Sequence, residues 1–184
     1  MVDTSAQKAA LRRALLDARG ALEPQRKAQF DALICARVVA WWEANLGPGE
    51  VLGVYWPLRG EPDLAAAYAA LAARGAALAL PVVLARDSAL GFAAWTPGEA
   101  LLRDTMGVAV PAARRMLARP PALLIPCLGF NAGRFRLGYG GGYYDRTLAA
   151  PPRPRTVGIA YQCLAADFAS APHDVALDLV LTEA

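Results

Sequence analysis

The sequence predicts an α/β protein in which a mostly parallel sheet is covered by helices. Three observations carry that expectation. The chain up to Gly47 shows helical spacing of apolar residues. Beyond it, short apolar runs alternate with glycine, proline and charged turns. An Ala-rich helical stretch between the first two of those runs makes a βαβ unit.

Residues 5–22 predict the first helix, because Leu11, Leu15, Ala18 and Leu22 recur at three- and four-residue spacing. Thr4 or Ser5 supplies a capping hydroxyl. Pro24 opens a second helix through Phe30, Leu33, Ile34, Val38 and Trp42, and Gly47-Pro48-Gly49 closes it. Six strands are expected: 51–56 (VLGVYW), 78–84 (LALPVVL), 90–95 (LGFAAW), 122–128 (ALLIPCL), 156–161 (TVGIAY) and 177–182 (LDLVLT). Several are apolar throughout, as strands covered on both faces of a parallel sheet are. Residues 62–74 form the helix of the βαβ unit, and another helix starts near Tyr143. There are no repeats, and PPRPR at 151–155 is a stiff loop too short to separate domains. Residues 1–184 are therefore expected to form one domain.

Composition narrows the function classes. The 184 residues are 56% hydrophobic and 19% charged, which suits a folded core and not a disordered chain. Mean hydropathy is +0.28. The longest apolar runs, 64–73 and 76–85, fall short of the roughly 20 residues a spanning helix needs. The N-terminus is polar and lacks a signal-peptide pattern, so no membrane partner is expected. Nineteen basic residues against sixteen acidic ones give a net charge of +3. They are spread along the chain with no cluster, so no nucleic-acid partner is expected either. Cys35, Cys127 and Cys163 are far apart, which fits free thiols and a cytoplasmic protein. With His173 as the sole histidine, chemistry here rests on carboxylates, arginines, backbone amides or a bound metal.

The most informative stretch is GFNAGRFRLGYGGGYYDRTLA, residues 129–149, between an expected strand and an expected helix. Gly138, Gly140, Gly141 and Gly142 let backbone N–H groups converge on an anion, and a helix start beside them favours the same charge. Arg136 and Arg146 flank the loop as phosphate clamps. Asp145 fits a Mg²⁺ that also touches phosphates. The bland alternative is a glycine-rich hairpin whose Asp145 only caps a helix. No GxxxxGK[ST] is present, and a dinucleotide GxGxxG fails because Tyr143 stands at its last glycine. A dinucleotide oxidoreductase and a nucleic-acid-binding module are thus the weaker readings.

At these residues the chain resembles the 5-formyltetrahydrofolate cyclo-ligase family, whose activity is also called 5,10-methenyltetrahydrofolate synthetase. The resemblance runs through KAALR at 8–12 with Arg19 beyond it, YWPLRGEPDL at 55–64, LPVV at 80–83, RLGYGGGYYDR at 136–146, VGIAYQC at 157–163 and HDVALDLVLTE at 173–183. Order and spacing make the set specific. It implies a compact, Rossmann-like, three-layer α/β/α domain behind N-terminal helices, acting as a monomer. It also implies an ATP- and Mg²⁺-dependent closure of 5-formyltetrahydrofolate to 5,10-methenyltetrahydrofolate, with release of ADP and phosphate. A formamide carbonyl is a poor electrophile; phosphorylating its oxygen creates a leaving group that N10 attack displaces. Such transfer needs alignment and charge neutralisation more than an acid–base residue.

Carried over residue by residue, the resemblance places Lys8 and Arg12 on ATP phosphates, with Arg19 on the same stripe. Arg136, Leu137, Gly138 and Tyr139 begin the ATP loop, and Gly140, Gly141, Gly142, Tyr143 and Tyr144 complete it. Tyr139, Gly140, Gly141, Gly142 and Tyr143 also approach the folate. Glu61 is the substrate carboxylate that steers N10, and the alternative reading makes it a charge at a helix start. Trp56 is a second substrate contact, with Tyr55 or Trp56 offering a face to the pterin. Asp145 and Asp174 are the metal-linked aspartates, Asp178 the runner-up, and His173 a loop residue. Glu61, Arg136 and Asp145 form the catalytic set. The chain departs from the family pattern at Val110, where glutamate is usual, at Ala122 and Asn131, where aspartate is usual, and at Gly141, where some members carry lysine.

Overall fold

Two helices lead the chain: α1 (Thr4–Gly20) and α2 (Pro24–Asn45). The computed structural model describes residues 4–58, 60–104 and 107–184. Glu23 caps α2 by accepting from the amides of Gln25 and Arg26, and Pro24 sits where a missing amide leaves no bond unmade. Ile34, Val38 and Trp42 lie along its buried face.

The sheet follows. β1 (Val51–Gly53) leads through α3 (Ala65–Ala73) to β2 (Ala77–Val83), which turns back into β3 (Leu90–Trp95). Short pieces come next: β4 (Leu101–Arg103), β5 (Ala109–Pro111) and β6 (Met116–Leu117). β7 (Ala122–Pro126) precedes the small hairpin β8 (Gly129–Phe130) and β9 (Arg136–Leu137). α4 (Tyr143–Ala149), β10 (Arg155–Ile159), a 3-10 turn at Gln162–Leu164 and β11 (Leu179–Leu181) complete the chain. The seven-stranded sheet has the order β11-β10-β7-β1-β2-β3-β6, parallel from β11 to β2 and antiparallel at the β3 and β6 edge.

Both faces of the sheet are covered, because alternate side chains of β7 enter different cores. Leu124 joins Ile34, Val38, Trp42, Tyr68 and Leu71 beneath α2 and α3. Leu123 and Ile125 join Phe92, Leu148 of α4 and Leu177 on the other side. Gly53 sits where a Cβ would come 2.4 Å from the Leu123 side chain. No helix among the described residues is long and apolar enough to cross a membrane.

The ends of the expected elements shift for identifiable reasons. The strand expected over 51–56 pairs only to Gly53. After Val54 donates to the Ala79 carbonyl, the Tyr68 hydroxyl takes over, accepting from the Tyr55 amide and donating 2.7 Å to the Tyr55 carbonyl. The helix expected from Pro62 begins at Ala65. The Pro62 carbonyl accepts from the Tyr55 hydroxyl, and the Asp63 carboxylate takes the Ala65 amide. The strand expected over 122–128 stops at Pro126, beyond which Leu128 donates to Leu137 in the hairpin. The last expected strand pairs only over Leu179–Leu181, since the Leu177 amide bonds the Arg134 carbonyl.

Candidate active site

A cleft of about 890 Å³ opens beyond the carboxyl ends of β1, β2 and β7. β1 and β7 are neighbours whose following helices cover opposite faces, α3 beside α2 and α4 on the far side. Chains leaving two such strands diverge and leave a crevice between them. The residues that the resemblance places on ATP, folate and the metal line this cleft, from Lys8 and Arg12 to Asp145 and Asp174. Arg19, the runner-up Asp178 and the second expected phosphate clamp, Arg146, do not line it.

Glu61 stands in the bend after β1 and is 3% exposed. Its amide donates to the Leu58 carbonyl and its carboxylate accepts from the Leu58 amide at 2.9 Å, so the side chain closes its own turn. The other oxygen accepts from the Tyr139 hydroxyl at 2.7 Å. The helix-start reading of Glu61 is therefore set aside: Asp63 holds the Ala65 amide at the start of α3. Tyr55 is buried with its hydroxyl bonded to Pro62, whereas Trp56 is 36% exposed and stands edge-on to Trp95. Of the two aromatics, Trp56 is the one with surface to offer.

The glycine loop is shaped by its own backbone and held by arginines. Gly140 and Gly142 adopt φ of 97° and 64°, a region that suits glycine. Arg12 donates to the Gly138 carbonyl at 2.8 Å and Arg146 to the Gly141 carbonyl at 2.6 Å. With those carbonyls engaged, the loop keeps its turn. Arg136 lies against Gly138, where a Cβ would stand 2.2 Å from its guanidinium, and over the Tyr144 ring at 5.3 Å. Its guanidinium donates to both Asp145 oxygens, at 3.1 and 3.3 Å. Arg146, expected as a phosphate clamp, is turned to the loop carbonyl and to Ser88, and does not line the cleft. α4 has seven residues, so its dipole adds little to the loop.

Among the described residues, Arg136 with Asp145 and Lys8 with Asp174 at 3.0 Å form ion pairs facing the cleft. For Asp174, partial burial raises the carboxyl pKa, but the Ala171 amide and the Lys8 charge outweigh it and hold the group below its usual value. His173 is a loop residue, 3.7 Å from Asp174. Asp178 is occupied elsewhere: it accepts from the Thr156 amide and hydroxyl, so it is a brace between β10 and β11. Burial and the Glu61 charge push the Tyr139 phenol up to about 12, so it is protonated and donating at neutral pH. Burial also drives Cys127 up to about 12, leaving an inert thiol.

Much of the remaining wall is apolar, and its residues were not among the site residues expected from sequence. Pro81 and Val83 of β2, Leu90 of β3, and Val108 line it, with Pro126 at the end of β7. Such residues read as core in any strand pattern. For Val83, Pro126 and Leu90, which pairs with Val83, the signal is position, near the carboxyl ends of β2 and β7, where α/β proteins place ligands.

The family model described as the 5-formyltetrahydrofolate cyclo-ligase family matches residues 4–183. A 5-formyltetrahydrofolate cyclo-ligase of Mycolicibacterium smegmatis is 31% identical over 189 aligned positions, covering 95% of this chain and 93% of the relative. One from Mycoplasma pneumoniae is 48% identical over 61 residues, covering 33% of this chain and 37% of the relative, so that match spans about a third of each. The solved 5,10-methenyltetrahydrofolate synthetase of Mycoplasma pneumoniae superposes with a TM-score of 0.80 at 27% identity, over 96% of this chain and 99% of that one. The synthetase of Aquifex aeolicus superposes with a TM-score of 0.81 at 22% identity, over 96% and 89%, a likeness of fold.

Proposed function

The chain belongs to the 5-formyltetrahydrofolate cyclo-ligase family, and on that premise we propose that it closes 5-formyltetrahydrofolate to 5,10-methenyltetrahydrofolate, driven by ATP. The observation that carries this reading is the hydrogen bond from Tyr139 to Glu61. It joins the glycine loop that suits phosphates to the carboxylate that suits a pterin, inside one cleft.

In this reading ATP transfers its terminal phosphoryl group to the formyl oxygen and leaves as ADP; N10 then bonds to the formyl carbon and gives up its proton, and the C–O bond breaks with that oxygen leaving on the phosphate. Lys8, Arg12 and Arg136, with the amides of Leu137, Gly138, Gly140, Gly141, Gly142 and Tyr144, hold and align the phosphates. Glu61 accepts a hydrogen bond from the N10 or pterin N–H and keeps N10 beside the formyl carbon. Trp56, Tyr139 and Tyr143 contact the folate, with the glycines near its formyl end. The apolar wall at Val83, Leu90 and Val108 keeps water from the transferring group.

A metal fits the donor set. Among the described residues no group of three His, Cys, Asp or Glu side chains gathers, so the protein offers no closed cage. Asp145 and Asp174 line the cleft as carboxylates. Mg²⁺ takes one or two carboxylates and completes its shell with phosphates and water. These two residues would hold it, and it would neutralise charge on the transferring oxygens. The proposal takes the chain as a monomeric, single-domain cytoplasmic enzyme, in keeping with its free cysteines.

The test is direct. Purified protein with 5-formyltetrahydrofolate, ATP and Mg²⁺ should develop methenyltetrahydrofolate absorbance with one ADP per product. No product, or product without ATP, overturns the reading.

A further inference from the structure

We propose that Arg19 is a positioning residue of this site, acting through the Tyr139 hydroxyl on Glu61; the inference rests on the folate role of Glu61 proposed above. Arg19 is 3% exposed and does not line the cleft. Its guanidinium lies 5.9 Å from the Tyr139 ring centre and donates to the Tyr139 oxygen at 2.8 Å. That hydroxyl donates in turn to Glu61 at 2.7 Å. A guanidinium has donors and no acceptor. The Tyr139 oxygen facing it can only accept, and the single phenol proton is directed to Glu61. Arg19 thereby fixes the sense of the relay and brings a positive charge towards the carboxylate.

The chemistry of Arg19 itself points the same way. Its Nε and Nη1 are buried and have no hydrogen-bond partner among the described residues. A buried charge satisfied on one edge is a poor stabiliser, and an apolar residue of similar volume often serves the fold as well. The arrangement is better explained by what Arg19 does to Tyr139 than by what it does for α1.

The experiment uses the full chain and varies each substrate in turn, with Arg19→Met, Arg19→Lys, Tyr139→Phe and the Arg19→Met/Tyr139→Phe double variant. Loss of a hydrogen bond to a charged group predicts a fall on the order of tenfold in kcat/KM for 5-formyltetrahydrofolate. The KM for ATP should stay within about twofold. Because Arg19 acts through the Tyr139 hydroxyl, the double variant should fall no further than Tyr139→Phe alone. Arg19→Lys should recover part of the loss, and Arg19→Met should melt at or above the wild-type temperature. Additive losses, an equal rise in both KM values, or an unchanged folate kcat/KM in Arg19→Met would each overturn the Arg19 role. Tyr139 is 40% exposed, so Tyr139→Phe folds and keeps the test decisive if Arg19→Met does not. A Tyr139→Phe enzyme with the wild-type folate kcat/KM overturns the relay. Absence of product from the wild type overturns the proposed function and this inference together, whereas an active wild type with an unaffected Arg19→Met overturns this inference alone.

Discussion

The Arg136 side chain is 8% exposed and Asp145, at 3.1 Å, is the carboxylate paired with it. Sequence offers two roles for Asp145, metal ligand and helix cap, and the structure adds a third, counter-ion to a buried arginine. Asp145→Asn should then lower turnover by orders of magnitude and also lower the melting temperature. Leaving Arg136 without its anion costs about 1–3 kcal/mol. ATP added without Mg²⁺ should narrow the melting gap, since phosphates replace the lost charge, while raised Mg²⁺ restores part of the turnover. A thermal shift series beside a rate assay reads both. Glu61 separates differently. Glu61→Gln keeps an acceptor for Leu58 but loses the charge facing the cleft, so the folate KM should rise or turnover slow while the ATP KM is nearly unchanged. Equal losses for both substrates would return Glu61 to a structural role. That Glu61 is not the cap of α3 was beyond sequence, because Asp63 lies two residues on and is equally fit to cap.

At the scale of elements, β1 shows how close packing decides a residue. Gly53 has Leu123 at 2.4 Å and Phe92 and Pro120 at 3.3 Å from where a Cβ would stand. Gly53→Ala should destabilise by about 1–3 kcal/mol through overpacking, read as a lower urea midpoint with unchanged m. Helices α1 and α2 and the sheet interior were legible because their signals are local: a 3.6-residue apolar period, a proline start, runs of apolar residues. Strand ends were not, since Tyr68 and Leu137 supply the bonds that stop β1 and β7, and both belong to other elements, α3 and β9. The pieces β4, β5, β6, β8 and β9 are two or three residues long and carry no period. For the site, motif residues were legible and partners were not. Nothing local tells that Arg19 reaches Tyr139, or that Arg146 turns away from the cleft.

Across the whole molecule, the cleft walls come from chain segments far apart in sequence, and charge ties them. Lys8 of α1 and Asp174, 166 residues on, form the tie that fastens the N-terminal helix to the segment before β11. The Asp174 carboxyl is held below its ordinary value of 3.8 in the folded chain. A carboxyl lowered by folding contributes stability in full above its unfolded value, and that contribution is lost as pH falls through the lower folded value. Asp174→Asn should therefore melt below the wild type at neutral pH. The tie is partly solvated, with side chains 22% and 13% exposed. Its worth is at most about 1 kcal/mol, which for a chain of this size is about 2–4 °C. The gap should hold while the pH stays above the ordinary carboxyl value of 3.8 and close as the pH falls through the lower folded value. Lys8→Met should show the same gap at neutral pH, and raised salt should shrink both. Lys8→Met should also raise the ATP KM, since the lysine that ties α1 in the free protein is the one proposed to turn to the phosphates. A gap that persists unchanged through the acid range would show that the Asp174 charge is not what ties α1 to this segment, leaving the helix to such contacts as the bond from Arg12 to the Gly138 carbonyl.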